Sequence, residues 1–244
     1  MGHSAIVSGQ IDLTQVKGFL FDVDGTLSDT DDHLVERISR RLAPLAWLWK
    51  NRDPRPFARW FVMTAESPAN TLYSLADRLH LDAYLAKLYD WYSRRRHAKT
   101  PAHERFWLVP GVKPMLDELK GRYPLAVVSA RDRNTTLHFL EHFDLMSTFE
   151  VVVTAQTCQH TKPFPDPVVF AAQALGLDAQ QCVMVGDTIV DVISGKSAGA
   201  QTIAVLCGFG TQRELERAGA DMILSSTADL IQLFNDDNGH PRET

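Results

Sequence analysis

The chain has 244 residues, 45% of them apolar and 23% charged, with a formal net charge of −5. This is ordinary globular composition, long enough for one large domain or for one domain with a small companion. The acid excess argues against general nucleic-acid binding, and no run of about eighteen apolar residues is present to cross a membrane.

Three cysteines, Cys158, Cys182 and Cys207, lie far apart and without metal-ligand spacing. They read as free thiols in a reducing compartment. The N-terminus lacks the basic-then-apolar order of a secretory signal, so a cytoplasmic location is expected. Charge is unevenly spread. Residues 28–107 hold 14 Lys/Arg against 10 Asp/Glu, and the remainder 11 against 20. A basic segment beside an acidic one can draw a small anion to their junction.

In chain order, residues 18–23 form a short apolar run that stops at a Gly-Thr turn, which predicts a buried strand. Similar runs recur at Leu125–Val128, Val151–Val153, Cys182–Val185, Ile203–Leu206 and Met222–Leu224. Continuous rather than alternating apolarity marks strands covered on both faces. Helical patterns lie between them: Val112–Leu119, Arg133–Phe143, Pro167–Leu175, Ile189–Ala198 and Gln212–Ala218. Strands alternating with helices imply right-handed crossovers and a doubly wound parallel sheet of α/β class, with ligands beyond the carboxyl ends of its strands.

Residues 28–107 break that alternation. They are helical in pattern and rich in aromatics, among them Trp47, Trp60, Tyr73, Tyr89 and Trp91, with proline breaks at Pro54, Pro56 and Pro68. The expectation is an inserted all-α cap over 28–107, a catalytic core from 1–27 and 108–244, and a frayed tail over 235–244. The aromatics are read as the cap's own core, and either a monomer or a homodimer fits.

The acids sit at strand ends. Asp22 and Asp24 stand where the first strand stops, followed by Gly25 and Thr26. Two residues apart on extended chain, their side chains share a side. One carboxylate can attack phosphorus, and the other can protonate the leaving oxygen and then deprotonate water. Asp-Gly alone is a common turn signal, but two acids ending an apolar strand are costly to bury without partners. Asp187 ends the strand at 182–185 and opens a helix, with Asp191 one turn on. A cap explains one of these residues, whereas the pair suits a hard cation such as magnesium.

Between them lie candidates for handling phosphate. Ser129 ends an apolar strand before a helix, Arg131 follows it, and Lys162 precedes Pro163. Singly they read as a helix cap, a surface arginine and a solvated loop lysine. Gly208-Phe209-Gly210 is a loop without the third glycine of a dinucleotide fingerprint, and His138, His142 and His160 have no metal-ligand companions.

The order Asp-x-Asp-Gly-Thr, Ser after an apolar strand, Lys-Pro, then Gly-Asp-x-x-x-Asp closely resembles the haloacid dehalogenase superfamily. The likeness covers most of the chain, and the helical insertion is similar to that of its phosphoglycolate phosphatase and β-phosphoglucomutase branch. The resemblance implies a Rossmann-like core and a magnesium-dependent phosphatase acting on a small phosphorylated metabolite. Asp22 would be the nucleophile and a metal ligand. Asp24 would be the general acid/base, with its backbone carbonyl also on the metal. Asp187 would ligate the metal, and Asp191 would orient its shell. Ser129, Lys162 and the Ala130 amide would hold the phosphoryl group, Thr26 would order the Asp24 loop, and Arg131 would add positive charge. Many relatives carry Asn at the position of Ala130, which here offers only its amide.

Asp24 removes the dehalogenase reading, because an alkyl halide needs no leaving-group proton. A phosphosugar mutase is the nearest rival, and a receiver-like phospho-aspartate signalling module is the rival from another class. Phosphonate hydrolysis would need a cap lysine to form a Schiff base with the substrate, and it ranks low because Lys50, the only lysine in the early half of the cap, reads from its neighbours as an ordinary exposed site.

Overall fold

Burial of short apolar segments on both faces organises the core. The computed structural model describes residues 6–29, 41–42 and 106–235. The expected cap therefore lies largely outside the described residues, as do the aromatics assigned to it and the tail beyond Asn235.

Seven strands form one sheet: β1 (Ile6–Gly9), β2 (Gly18–Phe21), β3 (Leu125–Val128), β4 (Val151–Val153), β5 (Cys182–Gly186), β6 (Gln201–Val205) and β7 (Met222–Leu224). Their spatial order is β1-β7-β6-β5-β2-β3-β4. Every pairing is parallel except that of β1 with β7. The helices are α1 (Val112–Lys120), α2 (Arg133–His142), α3 (Asp166–Ala174), α4 (Ile189–Ala198), α5 (Gln212–Arg217) and α6 (Gln232–Asn235).

Residues of the central strands alternate between two apolar clusters. Phe19, Phe21, Val183 and Val185 face one side, joined by Met115, Leu116 and Leu119 of α1 and by Phe139 and Leu140 of α2. Leu20, Cys182 and Met184 face the other, with Val168, Ala171 and Ala172 of α3. Both faces of β2 and β5 are thus covered, which is why their sequences are apolar without interruption.

From β2 the chain winds through β3 to β4, then crosses back to place β5 on the opposite flank of β2. The switch in direction falls at the carboxyl end of β2, where open α/β sheets bind ligands. Phe21 is level with Val127 on one side and Val185 on the other, and the Asp22 N–H donates to the Val185 carbonyl at 2.9 Å. The residues just past β2, β3 and β5 therefore emerge on one rim.

Several bounds differ from expectation; β2 stops at Phe21 rather than at residue 23, and some helix ends shift by a residue. β6 begins at Gln201 rather than Ile203, because Gln201 pairs with Val183 and the Thr202 N–H donates to an Asp221 carboxylate oxygen at 2.8 Å. β1 carries little apolar signal, and it joins by antiparallel pairing to β7 with an irregularity between Ile6 and Ser8. Among the described residues no helix is long and apolar enough to cross a membrane.

Phe19 is fully buried, with the rings of Tyr123 and Phe234 edge-on at 5.2 and 6.0 Å. Replacing it with alanine removes a large side chain from a close-packed site. Phe19→Ala is expected to cost about 3–5 kcal/mol of stability, read as a lower urea midpoint with an unchanged slope.

Candidate active site

The rim gathers acids that local structure holds in place. Asp22 follows β2 directly and is 6% exposed. Beyond it the backbone curls tightly, with the Leu27 and Ser28 N–H groups both donating to the Val23 carbonyl at 2.9 and 2.7 Å. Gly25 makes this turn possible with φ of 72°, a left-handed conformation that other residues enter at a cost. The curl is closed from outside by an isolated antiparallel bridge between Ser28 and Leu108. Ser28 and Leu108, far apart in sequence, are thereby held side by side.

Asp187 is fully buried just after β5. One of its carboxylate oxygens accepts from the Thr26 hydroxyl at 3.1 Å and the other from the Phe209 N–H at 2.8 Å. A Cβ added to Gly208 would fall 2.1 Å from that second oxygen, and one added to Gly25 would fall 2.3 Å from it. Gly208-Phe209-Gly210 is thus the wall against which Asp187 packs, a role that its sequence does not announce. Thr227 supports the arrangement from behind, its hydroxyl donating to the Thr26 carbonyl at 2.7 Å.

Asp191 lies in the first turn of α4. Its Oδ2 accepts from the Thr188 N–H at 3.0 Å and the Thr188 hydroxyl at 2.5 Å, and its Oδ1 accepts from Lys162 Nζ at 2.6 Å. It therefore caps its own helix while facing the site. Lys162 is buried, and its ammonium also lies 2.6 Å from Asp22 Oδ1. The single-residue reading of Lys162 as a solvated lysine does not hold.

Arg131 is buried as well, which overturns its reading as a surface arginine. Its Nε donates to Asp24 Oδ2 at 2.6 Å and its terminal nitrogen donates to Asp24 Oδ1, so the two side chains meet fork to fork. Its backbone N–H donates to the Ser129 hydroxyl at 3.1 Å, and the Ser129 N–H in turn donates to the Val153 carbonyl at 2.9 Å. Ala130 sits between them, half-buried.

Carboxylate oxygens of Asp22, Asp187 and Asp191 lie within 4.8 Å of one another, all three residues buried. Among the described residues no other group of His, Cys, Asp or Glu assembles this way, and His138, His142 and His160 stand apart from it. Burial pushes the Asp22 carboxyl up to about 7, opposed by Lys162 and assisted by Asp191 and Asp24. Burial works against the Lys162 ammonium too, but Asp191 and Asp22 outweigh it and raise Lys162 above its ordinary range.

The chain matches the model of the haloacid dehalogenase-like hydrolases over residues 19–205. The chain belongs to that family. It is accordingly an enzyme, a hydrolase of the phosphatase type that its named relatives represent. A pyrophosphatase, PpaX, of Bacillus pumilus is 28% identical over 224 residues, covering 89% of this chain and 96% of its own. A phosphoglycolate phosphatase of Shigella boydii is 27% identical over 240 residues, covering 88% and 91%. The crystal structure of a hydrolase from Pseudomonas syringae aligns with a TM-score of 0.59 at 22% identity, over 90% of this chain and 98% of its own. The α/β architecture expected from the sequence is therefore that of the haloacid dehalogenase-like fold.

The raised Asp22 carboxyl has a consequence for stability in the absence of metal. Unfolded, this group releases its proton near 3.8; folded, it keeps it up to about 7. Between those values the folded state binds the extra proton, so its contribution to stability falls as pH rises and levels off above the window. Urea unfolding in chelator, from pH 4 to 8, is expected to show wild type losing stability relative to Asp22→Asn across this range.

Proposed function

We propose that this chain is a magnesium-dependent phosphatase that hydrolyses a small phosphomonoester through a phospho-aspartate on Asp22. The single observation that carries this reading is a buried carboxylate at a strand end, in contact with a buried ammonium, with a second, more exposed acid two residues on. Asp22 attacks phosphorus as the bond to the leaving oxygen breaks. Asp24 gives that oxygen its proton, then removes one from the water that releases phosphate and regenerates Asp22. Lys162, Ser129 and the amide of Ala130 balance the charge on the phosphoryl oxygens, and Thr26 steadies the loop and Asp187.

The donor set fits a hard cation. Three buried carboxylates face one ammonium, a surplus of negative charge that burial penalises without a further positive charge. Asp22, Asp187 and the backbone carbonyl of Asp24 would hold magnesium. Asp191, whose oxygens already accept from Lys162 and Thr188, would orient the shell. When bound, the ion supplies charge neutralisation between the nucleophile and the anionic substrate.

In this reading residues 28–107 form the helical cap that shields the site, and the Ser28–Leu108 bridge is its neck. The basic excess of the segment and the names of the relatives, a pyrophosphatase and a phosphoglycolate phosphatase, favour a small phosphorylated anion as substrate. Three free cysteines suit a cytoplasmic enzyme.

Para-nitrophenyl phosphate is expected to be hydrolysed only with magnesium. Asp22→Asn should abolish turnover, and Asp24→Asn should lower kcat by about 10²–10⁴-fold. Absence of turnover across a broad phosphomonoester panel would sink the reading. Gly208→Ala, which pushes a methyl into the Asp187 carboxylate, is expected to weaken magnesium binding about 10–100-fold, measured by calorimetric titration of the metal.

A further inference from the structure

The turn that carries Lys162 is gripped from α4 at two points. The Phe164 N–H donates to the Thr161 carbonyl at 3.0 Å, closing a four-residue turn with Lys162 inside it. At the tip of its side chain, Lys162 Nζ meets Asp191 Oδ1 at 2.6 Å. On the backbone of the turn, the Phe164 carbonyl accepts from the Ser194 hydroxyl at 2.7 Å. Asp191 and Ser194 stand three residues apart in α4 and so share a face of that helix.

Ser194 is out of character for its position. A serine inside a helix is a modest helix former, and its hydroxyl commonly turns to solvent or bonds back to the carbonyl four residues earlier. Here the side chain is fully buried, and its hydroxyl reaches a separate segment thirty residues away. The helix that offers it is itself pinned to the sheet. A Cβ added to Gly195 would fall 2.6 Å from Thr202 Cγ2 of β6 and 2.9 Å from Met184 Cβ of β5, and one added to Gly186 would fall 2.3 Å from Asp191 Cβ. The frame against which the turn is set therefore yields little.

A lysine carries its charge on a flexible four-carbon stem, so the ammonium keeps one place only when both ends of the stem are fixed. Asp191 fixes the tip relative to α4. Contact with Asp22 Oδ1, also at 2.6 Å, further requires that the backbone start at the right distance, and that is what the Ser194 bond supplies. The pair His160–Asp166 spans the same turn, but each side chain is about a third exposed, and such a contact holds less firmly in water.

We propose that Ser194 is a positioning residue that acts through Lys162, setting the ammonium where it meets Asp22 and the phosphoryl oxygens together. This rests on the phosphatase reading, in which Lys162 balances phosphoryl charge, and deepens it by naming what aims that charge.

Inorganic phosphate and magnesium, titrated calorimetrically, separate aim from fold. Ser194→Ala keeps the volume and suits a helix, so its thermal transition should remain cooperative. It should bind phosphate, with magnesium present, at least about fivefold more weakly than wild type, while magnesium alone binds within about twofold of wild type. Its kcat/KM for para-nitrophenyl phosphate should fall by at least about fivefold as well. In a Lys162→Gln background the same substitution should change phosphate affinity by less than about twofold, because the group it aims is gone. Should Lys162→Gln fail to fold or bind phosphate too weakly to measure, the contrast between phosphate and magnesium in Ser194→Ala decides the matter. A residue that merely supported the fold would weaken both ligands together. Parallel losses, an unchanged phosphate affinity, a full effect persisting without Lys162, or no binding of phosphate by wild type overturns the proposal. The expected binding pattern in a wild-type protein that hydrolyses no phosphoester would instead overturn the phosphatase reading alone.

Discussion

The ammonium of Lys162, held between the carboxylates of Asp22 and Asp191, is the contact on which the rest of the rim depends. It joins the end of β2, the loop before α3 and the first turn of α4, three pieces far apart in sequence. Each of the three groups is expensive to bury alone, and together they offset much of that cost. The arrangement also sets the electrostatic character of the site. Burial, opposed by the one ammonium and assisted by the neighbouring acids, raises the Asp22 carboxyl to about 7.

Around this contact the backbone is shaped by what it must leave room for. Gly25 and Gly208 approach the Asp187 carboxylate from two sides, closer than any side chain would permit. Gly186 does the same for Asp191, where an added Cβ would fall 2.3 Å from the aspartate Cβ. The acids are therefore confined by main chain, which relaxes less readily than side chains do. Thr26, Thr188 and Thr227 complete the confinement with hydroxyl bonds, so that little in the cluster is left to rotamer choice.

Much of this was legible in the sequence, for identifiable reasons. Strands covered on both faces must be apolar throughout, so GFLF, LAVV and CVMV stand out from their surroundings. Asp22, Asp24 and Asp187 stand out because acids rarely end such runs. What pattern could not show were relations between distant residues. Arg131 and Lys162 read as exposed one at a time, and only the approach of β2, β3 and α4 makes them buried counter-charges. Gly208-Phe209-Gly210 resembles any loop until the position of Asp187 explains why two of its residues lack side chains. β1 escaped because an edge strand that pairs antiparallel, with an irregular register, needs few apolar residues.

The paired backbones at Ser28 and Leu108 bear on more than connectivity. The Asp29 N–H donates to the Trp107 carbonyl and the Val109 N–H to the Leu27 carbonyl, each at 2.9 Å, so both ends of the intervening eighty or so residues are tied to each other. One strand of that tie continues directly into the curl bearing Thr26, Gly25 and Asp24. The other begins beside Phe106, whose ring lies over Arg131. The tie therefore adjoins both partners of the Asp24–Arg131 fork.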